Sequence, residues 1–128
     1  MIRRRRQPER ALQTALVQHL NLRARKDALY FAVPNGGSRD VREAANLRRT
    51  GVLPGVSDLL LFRPGECPHC GTARLEGFSL ELKAPGGRPS AHQLAFMARF
   101  NEAGGHCAEG IDRALAVLDS WQLLRRRN

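Results

Sequence analysis

Apolar residues fall into short blocks whose spacing switches between helical and strand-like. Leu12, Ala15, Leu16, His19 and Leu20 recur at helical spacing, which predicts a helix from about residue 8 to 25. Pro8 and Glu9 suit its first turn, where a missing N–H is harmless and a carboxylate meets the positive end of the helix dipole. Glu9, Leu12, Gln13 and Leu16 share one face, so Glu9 is expected at the edge of the buried stripe. Ala28 to Val33 reads as a buried strand, stopped by Pro34 and the turn signal Asn35-Gly36-Gly37. Ser38 can cap a short second helix that runs through Arg49 and ends near Gly51.

After the Pro54-Gly55 turn, Val56 to Phe62 is a nearly continuous apolar run, as in a central strand, with Asp58 inside it. Arg63 to Glu76 reads as a polar loop. From Gly77 to Lys83 the chain alternates: Phe78, Leu80 and Leu82 face one way, Ser79, Glu81 and Lys83 the other. Ser90 opens another helix, with Gln93 completing a capping box. His106 to Ile111 predicts a last strand and Arg113 to Leu124 a last helix. Helices flanking a small mixed sheet make an α/β domain. With 128 residues, 42% of them hydrophobic, the chain has room for one modest core. Its organisation reads as a basic tail over 1–7, a single domain over 8–124 and a second basic tail over 125–128.

Those tails change the meaning of the net charge of +9. Arg3 to Arg6 and Arg125 to Arg127 hold seven of the 21 basic residues, leaving 14 against 12 acidic, about +2, on the body. The tails therefore carry most of any salt-dependent attraction to nucleic acid, or are simply solvated ends. Aromatic residues are only 5%, which disfavours the stacking platforms of single-strand binders. No apolar run is long enough to span a bilayer and none follows Arg3 to Arg6 as in a secretory signal, so a cytoplasmic location away from membranes is expected.

The chemistry centres on Asp58, Glu81 and Lys83. A lone carboxylate in an apolar strand is costly unless it is paired or bound to a cation. Glu81 and Lys83, two apart on a strand, emerge on the same face. If the two strands pair as a hairpin, Asp58 comes close to Glu81. Two carboxylates with a backbone carbonyl are hard oxygen donors suited to Mg²⁺ or Mn²⁺. Such an ion polarises a phosphodiester and acidifies a bound water, and Lys83 could offset charge building on the phosphorus centre. The blander readings are a solvated Glu-Xaa-Lys ion pair, and an Asp58 that accepts turn amides after Gly55.

Three stretches then resemble a known family: Pro34-Asn35-Gly36-Gly37, Thr50-Gly51-Val52-Leu53-Pro54-Gly55-Val56-Ser57-Asp58-Leu59-Leu60, and Leu80-Glu81-Leu82-Lys83-Ala84-Pro85-Gly86-Gly87-Arg88-Pro89-Ser90-Ala91-His92-Gln93. Together they look like a VRR-NUC domain of the PD-(D/E)xK nuclease superfamily, found in phage and bacterial proteins and fused to DNA repair enzymes. The resemblance runs from Pro8 to about Leu124 and implies a restriction-endonuclease-like core. It implies Asp58 and Glu81 as metal-binding acids, Lys83 as the catalytic lysine and the Leu82 carbonyl as a further ligand. Glu9 matches an acid of the first helix that reaches the metal or its water, and Gln93 the glutamine of a Ser-Xaa-Xaa-Gln motif. Both also explain themselves without catalysis, Glu9 through the helix dipole and Gln93 as a cap. Ser57, where the family often has proline, and the long loop between the acidic strands depart from the pattern. The implied activity is a structure-selective DNA endonuclease, cutting branched substrates such as Holliday (four-way) junctions as a homodimer. A rival of another class is a catalytically silent nucleic-acid-binding module of the same fold.

Two further groups of residues invite a functional reading. Arg39, Arg42, Arg48 and Arg49, with Asn35, could contact DNA phosphates beside the site, or form a solvated helix face. Cys67-Pro68-His69-Cys70-Gly71 looks like half of a zinc knuckle, but a closed site needs four ligands and only His69, His106 and Cys107 remain as candidates. We read Cys67 and Cys70 as two reduced thiols in a turn, with zinc as the alternative, in a remnant or a dimer-bridging site.

Overall fold

The computed structural model describes residues 2–34, 41–83, 86–110 and 113–126. The elements follow in the order α1 (Ile2–Arg23), β1 (Leu29–Ala32), α2 (Val41–Arg49), β2 (Leu59–Glu66), β3 (Ala73–Glu81), α3 (Ala91–Glu102), β4 (His106–Glu109) and α4 (Ala114–Ser120). The four strands make one mixed sheet in the order β1-β2-β3-β4. β1, β2 and β3 are antiparallel neighbours, and the α3 crossover brings β4 parallel to β3. The protein is the α/β type expected, a small mixed sheet flanked by helices.

Register decides which side chains meet. Leu59 lies opposite Leu80 and Leu61 opposite Phe78. These four, with Leu82, join Leu16 and Leu20 of α1, Ala114 and Leu118 of α4, and Leu123 in a single buried cluster. Each such leucine contributes roughly 1.5–3 kcal/mol of burial. The alternation expected in β3 is kept, but its inner half is covered on both sides: Ser79 and Glu81 are as buried as Phe78 and Leu80.

The structure departs from the sequence reading at several element ends. The helix expected to begin near residue 8 starts at Ile2, so most of the segment expected as a tail over 1–7 is helical. Arginine is a good helix former, and Pro8 removes only one intrahelical hydrogen bond. At the other end, Leu124 bridges to Ala24 and the Arg125 N–H donates to the Arg23 carbonyl, so the final basic segment begins bound to the end of α1. Leu12, expected in the buried stripe, is exposed; the inward face of α1 runs instead through Glu9, Gln13, Leu16 and Leu20.

The expected loop from Arg63 to Glu76 is largely a β-ribbon. β2 and β3 continue to Glu66 and from Ala73, leaving Cys67 to Thr72 as the turn. Pro64 and Gly65 read as breakers, but β1 pairs only as far as Phe62. Beyond that point β2 is an edge strand, where proline is tolerated. β4 and α4 are shorter than expected, α4 closing before Gln122, whose φ of 59° turns the chain towards buried Leu123. Ser38, the expected cap of α2, lies outside the described residues.

Candidate active site

Continuing the Leu59–Leu80 register by one residue sets Asp58 across from Glu81, at the carboxyl end of β3. The Leu82 N–H donates to Asp58 Oδ2 at 2.8 Å, extending the ladder through a side chain. Glu81 is almost wholly buried, with 3% of its surface exposed. Its Oε1 accepts from Gln93 Nε2 at 2.8 Å and lies 3.8 Å from Lys83 Nζ. Its Oε2 is buried and has no protein hydrogen-bond partner.

Gln93 is therefore a cap and a site residue at once. Its Oε1 accepts from the Ser90 N–H at 2.8 Å while its own N–H donates to the Ser90 hydroxyl, which closes the capping box. The remaining amide nitrogen is free to hold Glu81. The loop ahead of Asp58 is pressed against the same helix. A Cβ on Gly55, whose φ is +83°, would stand 2.3 Å from the His92 carbonyl carbon. Only glycine allows that approach. Behind Asp58, the buried Ser57 and Ser79 hydroxyls hydrogen-bond across β2 and β3.

The electrostatics follow from crowding acids where water is scarce. Burial, and then the Asp58 carboxylate, push Glu81 up to about 8, against the pull of Lys83. Asp58 is also raised, chiefly by burial, and the Glu9 charge adds to the rise while the Leu82 N–H opposes it. Glu9 is half-buried on the inward face of α1 and near enough to be felt at Asp58. Among the described residues no cluster of three His, Cys, Asp or Glu groups is close enough to hold an ion. Asp58 and Glu81 could hold one as a pair, with Glu9 approaching but not joining them. A magnesium-like ion bound by one or two carboxylates that keeps several waters fits such a set.

A cleft of about 500 Å³ opens over the pair, walled by α2, the Val52–Val56 loop and the start of α3. Arg48 lines it, whereas Arg42 and Arg49 are exposed elsewhere on α2, Arg49 bonding Asn46. Arg39 and Asn35 lie outside the described residues. His92 also lines the cleft, and a lone histidine on an exposed helical turn gave no signal in the sequence. Cys67 and Cys70 sit at the far tip of the β2–β3 ribbon and take no part in the site. No helix among the described residues is long and apolar enough to cross a membrane. Compared with protein-family models, curated proteins and solved structures, the chain matches none.

Proposed function

We propose that the protein is a divalent-metal-dependent nuclease that hydrolyses DNA phosphodiester bonds, of the VRR-NUC kind within the PD-(D/E)xK superfamily. The observation that carries this reading is the unpartnered Glu81 Oε2, buried against Asp58 with Lys83 close by. A buried polar atom without a partner costs stability, and a buried pair of acids costs more. Such a pair is relieved by keeping a proton or by binding a cation, and a cation would use both acids at once. Asp58 and Glu81 would hold Mg²⁺ or Mn²⁺, and the resemblance adds the Leu82 carbonyl and an outer contact from Glu9. Bound there, the ion would polarise the phosphodiester and acidify a water.

The protein's own groups then have separable tasks. Lys83 places a cation beside the Glu81 carboxylate, where it can orient the attacking water and offset negative charge as the phosphorus centre becomes crowded. Gln93 fixes the Glu81 carboxylate through one oxygen and leaves the other for the ion. Arg48, on the cleft wall, can meet a backbone phosphate and set the register of the strand. Selectivity for branched DNA such as four-way junctions, and action as a homodimer, come from the resemblance alone.

The test is cleavage of a labelled panel (linear duplex, single strand, flap, fork, four-way junction) with Mg²⁺, Mn²⁺ or EDTA. Metal-dependent cutting is expected, reduced by roughly 10²–10³ in Lys83→Ala, which should still fold and bind DNA. Intact DNA in every lane, alongside clear binding in a shift assay, would replace this proposal with the silent binding module.

A further inference from the structure

The cysteine turn is the feature of the molecule that the nuclease reading leaves unused. β2 carries it ~25–30 Å from Asp58 along the ribbon, well apart from the acidic site. Cys67 to Thr72 form a tight knuckle. The Gly71 N–H donates to the Cys67 carbonyl at 2.8 Å, and the Cys67 N–H to the Thr72 carbonyl at 2.9 Å. Gly71, with φ of +72°, makes the reversal that an L side chain resists. Both thiols are unoxidised, Cys70 exposed and Cys67 half-buried.

We propose that Cys67 and Cys70 form half of a zinc site closed by the same two cysteines of a second copy of this chain, so that zinc joins two ribbon tips. A closed zinc site takes four ligands in a tetrahedron, and a Cys-Xaa-Xaa-Cys turn supplies two. Among the described residues no third His, Cys, Asp or Glu joins these two thiols. Of the other candidates, His69 is exposed on the turn without joining the two thiols, Cys107 donates to the Met97 carbonyl, and His106 faces Glu76 and stacks on Phe78. A twofold axis through the tip supplies the missing pair from an identical knuckle.

Cys70 Sγ lies 3.1 Å from the Thr72 hydroxyl, a contact that fixes the exposed thiol on the turn. Binding one Zn²⁺ would release four thiol protons and leave a centre of charge −2.

The experiment uses the full chain, purified under reducing conditions and stripped of metal, with zinc added back and followed by metal analysis and sedimentation. Half an equivalent of zinc per chain is expected, with a doubling of the sedimenting mass that a chelator reverses. Cobalt in place of zinc should give the intense charge-transfer absorption of four thiolates. Cys67→Ser and Cys70→Ser should each abolish uptake and doubling, and Cys107→Ser neither. One zinc per chain without a change in mass would overturn the proposal, as would no uptake by the reduced protein. Neither result bears on DNA cleavage, which is read in separate lanes at the distant acidic site.

Discussion

Replacing Glu81 by glutamine should make the metal-free protein more stable at neutral and alkaline pH, not less. In the folded chain Glu81 titrates near 8, against 4.5 when unperturbed. Because its folded value is raised, the stability linked to its proton is complete below pH ~4.5 and drains away as the pH climbs through ~8. At about 1.4 kcal/mol per unit, the loss across that window is at most about 5 kcal/mol. Glu81→Gln removes the titration while keeping the shape. Its carbonyl can still accept from Gln93, and its NH₂ takes the place of the unpartnered Oε2 beside Asp58 without a charge to bury. Asp58, Glu9 and Lys83 still face the position, and Asp58 titrates together with Glu81, so the difference between the two proteins reports the acidic pair. The carboxylates held low by arginine, Asp27 and Glu76, titrate below this window and do not blur it. The assay is urea unfolding between pH 5 and 8.5 in EDTA, followed by the fluorescence of Trp121, which packs on Phe78 in the core. The two proteins should coincide near pH 5 and separate progressively above it, and Mg²⁺ or Mn²⁺ at pH 8 should stabilise the wild type alone. Parallel pH profiles would refute the argument, because they would mean that Glu81 carries the same charge folded and unfolded.

Three other expectations rest on single contacts. Gly55→Ala should cost about 2–4 kcal/mol in urea unfolding, since the new Cβ meets both a left-handed backbone and the His92 carbonyl. Ser90→Ala should cost about 1 kcal/mol and spare cleavage, because the hydroxyl only caps α3. Gln93→Ala should lower cleavage by at least roughly tenfold, because it also frees Glu81; equal cleavage by the two variants would reduce Gln93 to a cap.

The acidic pair was legible in the sequence because it breaks a local rule. Asp58 interrupts an apolar block, and Glu81 alternates with leucines, so hairpin pairing alone is enough to bring them together. The capping box was equally plain, since Ser90 and Gln93 are three residues apart and their bond is local. What the sequence hid depends on contacts between distant residues. Gly55 looks like any turn glycine until α3 is laid against it, and Ser57 looks like a substituted proline until Ser79 arrives from β3. The ribbon beyond Phe62 was hidden for the opposite reason: Pro64 and Gly65 have poor strand propensity, and only pairing with Leu75 and Arg74 holds them extended.

These hidden contacts lie at the two ends of the β2–β3 hairpin, and the middle of the hairpin explains why. Where Leu59 and Leu61 face Leu80 and Phe78, burial dictates sequence, so pattern and structure agree. At the inner end a carboxylate is buried with an oxygen unpartnered, and at the outer end two thiols are displayed on a knuckle. Folding rewards neither arrangement. Departures from local preference of this kind are where function is expected to override folding. The stability that the core leucines supply is what allows the inner end to hold two acids together without a cation. On that argument, a core truncation such as Leu80→Ala, costing roughly 2–5 kcal/mol, should be tolerated far better at pH 5, where Glu81 is protonated, than at pH 8.5 in EDTA.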